Sequence, residues 1–523
     1  MMNVSLRGHD YNYEIAELIK MFTRDFSFSE KTKAEINKEE QALTGRLINS
    51  VKIDGNYLVS RIEYFEGDDL VIAQEDRGCL DPIGCKLIFD GSGLIKEVFS
   101  ELPIELERKA KKICKDTIKR NFYQVLEKLT HSYTPWGILT GIRPVKVVHN
   151  YLDSGLSEEE IRDRLKNHYF IDEEKIDLCL EVAKKERVFI YPVDKNKISL
   201  YVSIPFCPTR CLYCSFPSNS LADFGQLTGA YVEKLAEEIH GTAELLQRTG
   251  KEIETLYIGG GTPTALSAEE LDLVITNLFE TLDLSKIIEF TVEAGRPDTI
   301  TREKLEVLKK HGATRISINP QTMNDITLEK IGRRHKVSDI ISCFYLAREL
   351  GFDNINMDLI LGLIDEDLEM VRNTLEEVKK LKPESLTVHT MAVKRASELN
   401  LNMEKYRSQM TKDTEIVKMI DLSHKYAREM GMKPYYMYRQ KHMVGNLENI
   451  GYAKDGLECI YNIQVMEEKQ SNYALGAGSI SKFVYPDENR IERVANVKNL
   501  EQYLDRVEEM VERKNKEVEK NAN

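Results

Sequence analysis

The sequence predicts an α/β protein: an incomplete (βα)6 barrel, preceded by an α+β domain and followed by a mostly helical region. Three observations predict it. Between residues 196 and 400, short β-rich runs alternate six times with segments of helical period, the pattern of parallel strands joined by crossover helices. Six units are two short of the closed eight-unit form. Before residue 195 this alternation is absent, and 523 residues with a mass of 60.2 kDa exceed what one core holds.

In chain order, residues 1–130 form the α+β domain. Its apolar runs Tyr57–Ile62, Leu70–Ala73 and Lys86–Phe89 are expected as strands, Gly91-Ser92-Gly93 as a loop, and 103–130 as a charged helix. Residues 131–195 form a helical connecting segment. It opens on the Pro/Gly-punctuated stretch from Tyr133 to Pro144, which holds the only tryptophan, continues through two short charged helices in 157–187, and closes at Tyr191-Pro192. The barrel occupies 196–400, with strands expected at Ile198–Ile204, Thr255–Ile258, Ile287–Val292, Arg315–Ile318, Asn354–Ile360 and Ser385–Thr390. Helices are expected at Ala230–Leu246, Ala268–Thr281, Arg302–His311, Ser338–Leu350 and Leu368–Leu381. Residues 401–523 are a C-terminal accessory region ending in a charged helix, Leu500–Glu519.

Composition removes several function classes. With 73 basic against 86 acidic residues the net charge is −13, which disfavours an electrostatic hold on nucleic acid or an anionic membrane. No run of about 18 apolar residues occurs and the first residues lack an apolar leader, so a cytoplasmic protein with no membrane span is expected. Nine cysteines in such a chain point to free thiols or metal ligands, not disulfides.

Three of them fall within eight residues directly after the first barrel strand: Cys207-Pro-Thr-Arg-Cys211-Leu-Tyr213-Cys214. Short cysteine spacings on a tight loop suit an iron–sulfur cubane. Three ligands for four irons leave one iron open to a small chelator, whereas zinc would ask for a fourth nearby Cys or His. A [4Fe–4S] cluster held by Cys207, Cys211 and Cys214 is expected.

CxxxCxxC after a first strand, followed by further βα units, resembles the radical S-adenosylmethionine (SAM) superfamily and its TIM-like barrel. Tyr201-Val-Ser-Ile-Pro-Phe-Cys207 and Gly259-Gly-Gly-Thr-Pro-Thr264 are similar to the oxygen-independent coproporphyrinogen III dehydrogenase (oxidase) group. The long N-terminal extension with Pro135-Trp-Gly-Ile-Leu-Thr-Gly-Ile-Arg-Pro144 resembles its HemZ branch. The resemblance implies that SAM chelates the open iron and is contacted by Gly260, Gly261, Thr262, Glu293, Gln321, Arg333, Asp358, Tyr201, Tyr213 and Ala392. Arg334 is an alternative to Arg333. It further implies reductive cleavage of SAM by an electron from a donor such as a flavodoxin or ferredoxin. Hydrogen abstraction from the propionate β-carbon of a porphyrinogen substrate, coproporphyrinogen III, and loss of CO2 and one electron from the resulting substrate radical then give the vinyl groups of protoporphyrinogen IX.

The chain also departs from the group. A further cysteine common two residues past the third ligand is Phe216 here, and the His-Asn-x-x-Tyr-Trp string of the haem-chaperone branch is missing. A haem chaperone and a radical SAM enzyme acting on RNA are therefore carried as alternatives. Arg439 and Lys441, cations among tyrosines 435, 436 and 438, are candidate propionate ligands. His389 in the sixth strand is expected as a satisfied core histidine, with a side chain pointing into the barrel as the alternative. Gly476-Ala-Gly478 is a weak candidate for a backbone wall beside SAM. Cys79, Cys85, Cys114, Cys179, Cys343 and Cys459 carry no signal.

Overall fold

The computed structural model describes residues 2–23, 25–29, 45–141, 143–216, 218–394, 396–439 and 447–520. The chain divides into two compact units, Met1–Gly141 with Asn150–Cys179, and Ile142–His149 with Leu180–Asn523.

The first unit is built on a five-stranded sheet of order β2-β1-β3-β4-β5. The strands are β1 (Met2–Arg7), β2 (Phe26–Phe28), β3 (Gly45–Asp54), β4 (Tyr57–Glu66) and β5 (Asp69–Cys79). β3, β4 and β5 form an antiparallel meander, while β1 runs parallel to β2 and β3. β3 alternates buried and half-buried residues along its first seven positions, as a strand with one wet face must. The 27-residue helix Ile104–Thr130 packs on β4 and β5. Between them Asn121 Nδ2 donates to Ser60 O at 2.7 Å, satisfying polar groups that burial would otherwise strand. Lys86–Phe89 is not a strand. Phe89 is buried and its carbonyl accepts from Ile53 N at 2.8 Å, so the run is an apolar loop closing the core.

The second unit carries the alternation seen in the sequence. β6 (Lys197–Ile204), β9 (Glu252–Gly260), β10 (Glu289–Glu293), β11 (Arg315–Ser317), β12 (Ile355–Leu361) and β13 (Ser385–Thr390) are parallel neighbours in that order. Between them, β7 (Phe206–Cys207) and β8 (Asn219–Ser220) pair only with each other. The crossover helices begin where sequence chemistry says they should. Ser267 and Glu270 form a capping box ahead of Ala268–Thr281, and Asp367 caps Leu368–Leu381. Side chains from all six strands line one cavity. In a flat sheet β6 and β13 would stand about 24 Å apart, so the sheet must curve around that cavity.

The tail 401–523 is less helical than its sequence suggests. β14 (Lys433–Arg439) and β15 (Glu448–Ala453) extend the sheet antiparallel beyond β13. β16 (Ser471–Leu475), β17 (Ile480–Tyr485) and β18 (Arg490–Ala495) extend it beyond β6, giving eleven strands. β14 and β15 are buried at most positions, so no polar alternation betrays them. The expected helix Leu500–Glu519 is two helices, Leu500–Asp505 and Val507–Glu519. No helix among the described residues is long and apolar enough to cross a membrane.

Candidate active site

The cysteine loop leaves β6 at Pro205 and is closed at its base by the two-residue ladder in which Phe206 pairs with Asn219 and Cys207 with Ser220. Cys214 N donates to Cys211 O at 3.0 Å, tightening the turn that brings the last two thiols together. Leu212 N donates to Ile331 O at 3.1 Å, and Thr209 Oγ1 to Gly332 O at 3.0 Å, so the Ile331–His335 segment braces the loop. Gly332 has φ +81°, a left-handed conformation glycine adopts without strain.

The three thiols face a cavity of about 410 Å³, within the range of small-molecule sites. All thirteen residues nominated from the sequence line it: Cys207, Cys211, Cys214, Tyr201, Tyr213, Gly260, Gly261, Thr262, Glu293, Gln321, Arg333, Asp358 and Ala392. Of the two neighbouring arginines, Arg333 lines the cavity. Arg333 is 7 % exposed, with Nη1 donating to Asn319 O at 2.6 Å, while Arg334 faces solvent.

Gly260 and Gly261 are required by space. Gly260 has φ +112°, and a Cβ on Gly261 would stand 2.6 Å from the Phe206 carbonyl oxygen. Thr262, directly after, places Oγ1 3.6 Å from Cys207 Sγ. Gln321 is also left-handed, at φ +68°. It is held by hydrogen bonds of 2.9 Å, its N to Asp358 O and its O from Ile360 N.

The acids are tuned by their surroundings. Burial pushes the Glu293 carboxyl up to about 7, against the pull of the Tyr257 hydroxyl, which donates to it at 2.6 Å. Asp358 lies within β12 and not at its end, and Asn356 Nδ2 donates to it at 2.7 Å. Burial also pushes the Cys207 thiol up to about 11 and raises that of Cys214, so a metal must displace their protons.

Other cavity residues were silent in the sequence. Arg296 donates through Nη1 to Thr209 O at 2.9 Å, reaches Cys211 Sγ at 3.8 Å, and forks onto Asp298 at 2.9 and 2.7 Å. Only its place three residues beyond the strand-end glutamate could have flagged it. Tyr257, also in the lining, stacks with the nominated Tyr201 and with Tyr461, which packs behind it outside the lining, 4.4 Å away at 25°. His389, expected in the core, instead lines the cavity, with Tyr438 Oη 3.3 Å from Nδ1 and Asp358 4.0 Å from Nε2. Cys459 lines the cavity as well and donates to Glu289 at 3.3 Å.

Two expectations fail. Arg439 is 3 % exposed on β14, paired in register with Glu448, and does not line the cavity; Lys441 lies outside the described residues. Gly476 stands behind β6, where a Cβ would lie 2.4 Å from Ser203 O, so it serves close chain packing and not a wall of the cavity.

The sequence matches the Radical SAM superfamily over residues 201–378. It is 43 % identical over 435 residues to the oxygen-independent coproporphyrinogen-III oxidase-like protein HemZ of Bacillus subtilis (strain 168), covering 82 % of this chain and 86 % of that one. The chain belongs to the HemZ family of radical SAM proteins. It is also similar to the heme chaperone HemW of the same organism, 33 % identical over 54 % of this chain and 70 % of that one. Among solved structures, coproporphyrinogen III oxidase (HemN) from Escherichia coli shares the fold, with a TM-score of 0.51 at 23 % identity over 63 % of this chain and 73 % of that one.

The cofactors of this family are a [4Fe–4S] cluster and SAM, and the HemZ-family cavity fits both. It offers three soft sulfur donors that form no disulfide. It has a glycine cradle that a Cβ would fill. Arg333 Nε is buried with no hydrogen-bond partner among the described residues.

Proposed function

We propose that this chain is an oxygen-independent coproporphyrinogen III dehydrogenase, oxidatively decarboxylating two propionates of coproporphyrinogen III to the vinyl groups of protoporphyrinogen IX. The observation that carries this reading is the single cavity, in which three cysteines and ten nominated ligand-binding residues converge. Cys207, Cys211 and Cys214 hold the cluster and leave one iron for SAM. Together the cluster and SAM supply a carbon radical able to take a hydrogen atom, chemistry no side chain provides.

The remaining work falls to the chain's own residues. Gly260, Gly261 and Thr262 let backbone approach the methionyl end of SAM. Glu293 accepts from its amino group, and Arg333 and Gln321 bind its oxygens. Asp358 orients the ribose, Tyr201, Tyr213 and Ala392 pack beside SAM, and Tyr257 and Tyr461 keep water out. Substrate propionates require cations, and Lys394 and Arg210 line the same cavity. An electron donor of the flavodoxin or ferredoxin kind supplies the reducing equivalent.

Anaerobic turnover of the reconstituted protein with coproporphyrinogen III, SAM and dithionite tests the proposal. Protoporphyrinogen IX and 5′-deoxyadenosine are expected together. Tight haem binding without SAM cleavage would instead favour a chaperone, the reading supported by the similarity to HemW.

A further inference from the structure

Away from the cavity, three ligand-type side chains converge inside the second unit. His149 comes from the helix Val145–Asp153, Glu186 from Glu173–Ile190, and Glu467 from the last position of Ile460–Glu467. One donor atom of each lies within 4.8 Å of the other two. His149 Nε2 is 2.8 Å from Glu186 Oε2 and 3.5 Å from Glu467 Oε2. None of the three is more than 2 % exposed.

Charge is what makes the cluster informative. Among the described residues neither oxygen of Glu467 has a hydrogen-bond partner, nor has Glu186 Oε1. Of the cations near Glu467, Arg143 pairs instead with the next residue, Glu468, at 2.6 Å, and Lys146 and Lys469 act on Glu467 through charge without a hydrogen bond to it. Two buried carboxylates beside one imidazole cannot stay ionised without neutralisation.

We propose that His149, Glu186 and Glu467 bind one zinc ion. Imidazole nitrogen and carboxylate oxygen are both zinc ligand types, and where the protein supplies three ligands a water completes the tetrahedron. Tetrahedral bonds of about 2.1 Å place ligand atoms about 3.4 Å apart, so the 3.5 Å pair already fits and the 2.8 Å pair opens slightly. The ion ties together three helices. The third, Ile460–Glu467, has its N-terminal end held by Glu289, which accepts from Ile460 N at 2.6 Å, and presents Asn462 to the reaction cavity. The zinc thus pins the far end of a helix that contributes Asn462 to that cavity. The assignment is independent of which reaction the cavity performs.

Equilibrium dialysis of the EDTA-treated full-length protein, cluster intact, against zinc chloride tests this, with zinc and iron read by elemental analysis. One zinc per chain is expected beyond the cluster iron. Glu467→Gln and Glu186→Gln should each weaken its binding at least tenfold with iron unchanged. The zinc X-ray absorption of the unsubstituted protein supplies a second reading that needs no variant: a shell of only nitrogen and oxygen near 2.0–2.1 Å is expected. A sulfur shell near 2.3 Å, uptake identical in both variants, or no uptake by the unsubstituted protein would overturn the site.

Discussion

Glu293 is the residue whose chemistry can be followed most closely through pH. Its folded-state value of about 7 lies above the ordinary 4.5. Between those values the unfolded chain loses the proton while the folded chain keeps it. Stability is therefore fully present below about 4.5, falls as pH rises through the window, and stays reduced above 7. In cofactor-free protein Glu293→Gln should raise stability at pH 8 by up to about 3 kcal/mol and leave it unchanged at pH 4.5, while weakening SAM binding. Thermal unfolding across pH, beside SAM titration, checks both arms. A variant less stable than its parent at pH 8 would contradict the assigned environment. Arg296 is proposed to tune the cluster from outside its ligand set. Removing a cation 3.8 Å from Cys211 Sγ makes an added electron less welcome. Arg296→Ala is expected to shift the cluster's reduction potential negative, measured by redox titration.

At the scale of elements, the cavity depends on the loop after β9 fitting against the start of the cysteine loop. A Cβ at Gly261 meets Phe206 backbone oxygen, carbon and nitrogen at 2.6, 3.0 and 3.0 Å, and none of these can rotate away. Gly261→Ala should cost about 1–3 kcal/mol, as overpacking does, and yield protein with substoichiometric iron, read by chemical denaturation and iron assay. The six parallel strands were legible in the sequence because strands covered on both faces appear as apolar runs between helical periods. β14 and β15 escaped because, buried at most positions, they show no polar alternation. Lys86–Phe89 misled for the converse reason: Phe89 is buried as a loop plug. Within the site, residues carried by motifs were legible. Tyr257, Tyr461 and Arg296 were not, since a ring stack or a guanidinium on a thiol exists only once distant segments meet.

Across the whole molecule, net charge and topology point the same way. A net charge of −13 disfavours the electrostatic, counterion-releasing hold that nucleic-acid binding rests on. RNA binding near physiological salt should be negligible and should show little salt slope, measured by filter binding across ionic strengths. Micromolar affinity with a steep slope would revive an RNA substrate. The eleven-stranded sheet gathers side chains from all six parallel strands onto one cavity, and the three thiols stand at its edge. We propose that those thiols would hold the cluster and leave one iron to SAM, and everything proposed for SAM depends on it. Electron paramagnetic resonance of the reduced, reconstituted protein with and without SAM tests that most directly. The signal should change shape when SAM is added, and Cys211→Ala should show no cluster signal at all. A spectrum indifferent to SAM, or a cluster surviving in Cys211→Ala, would contradict the account.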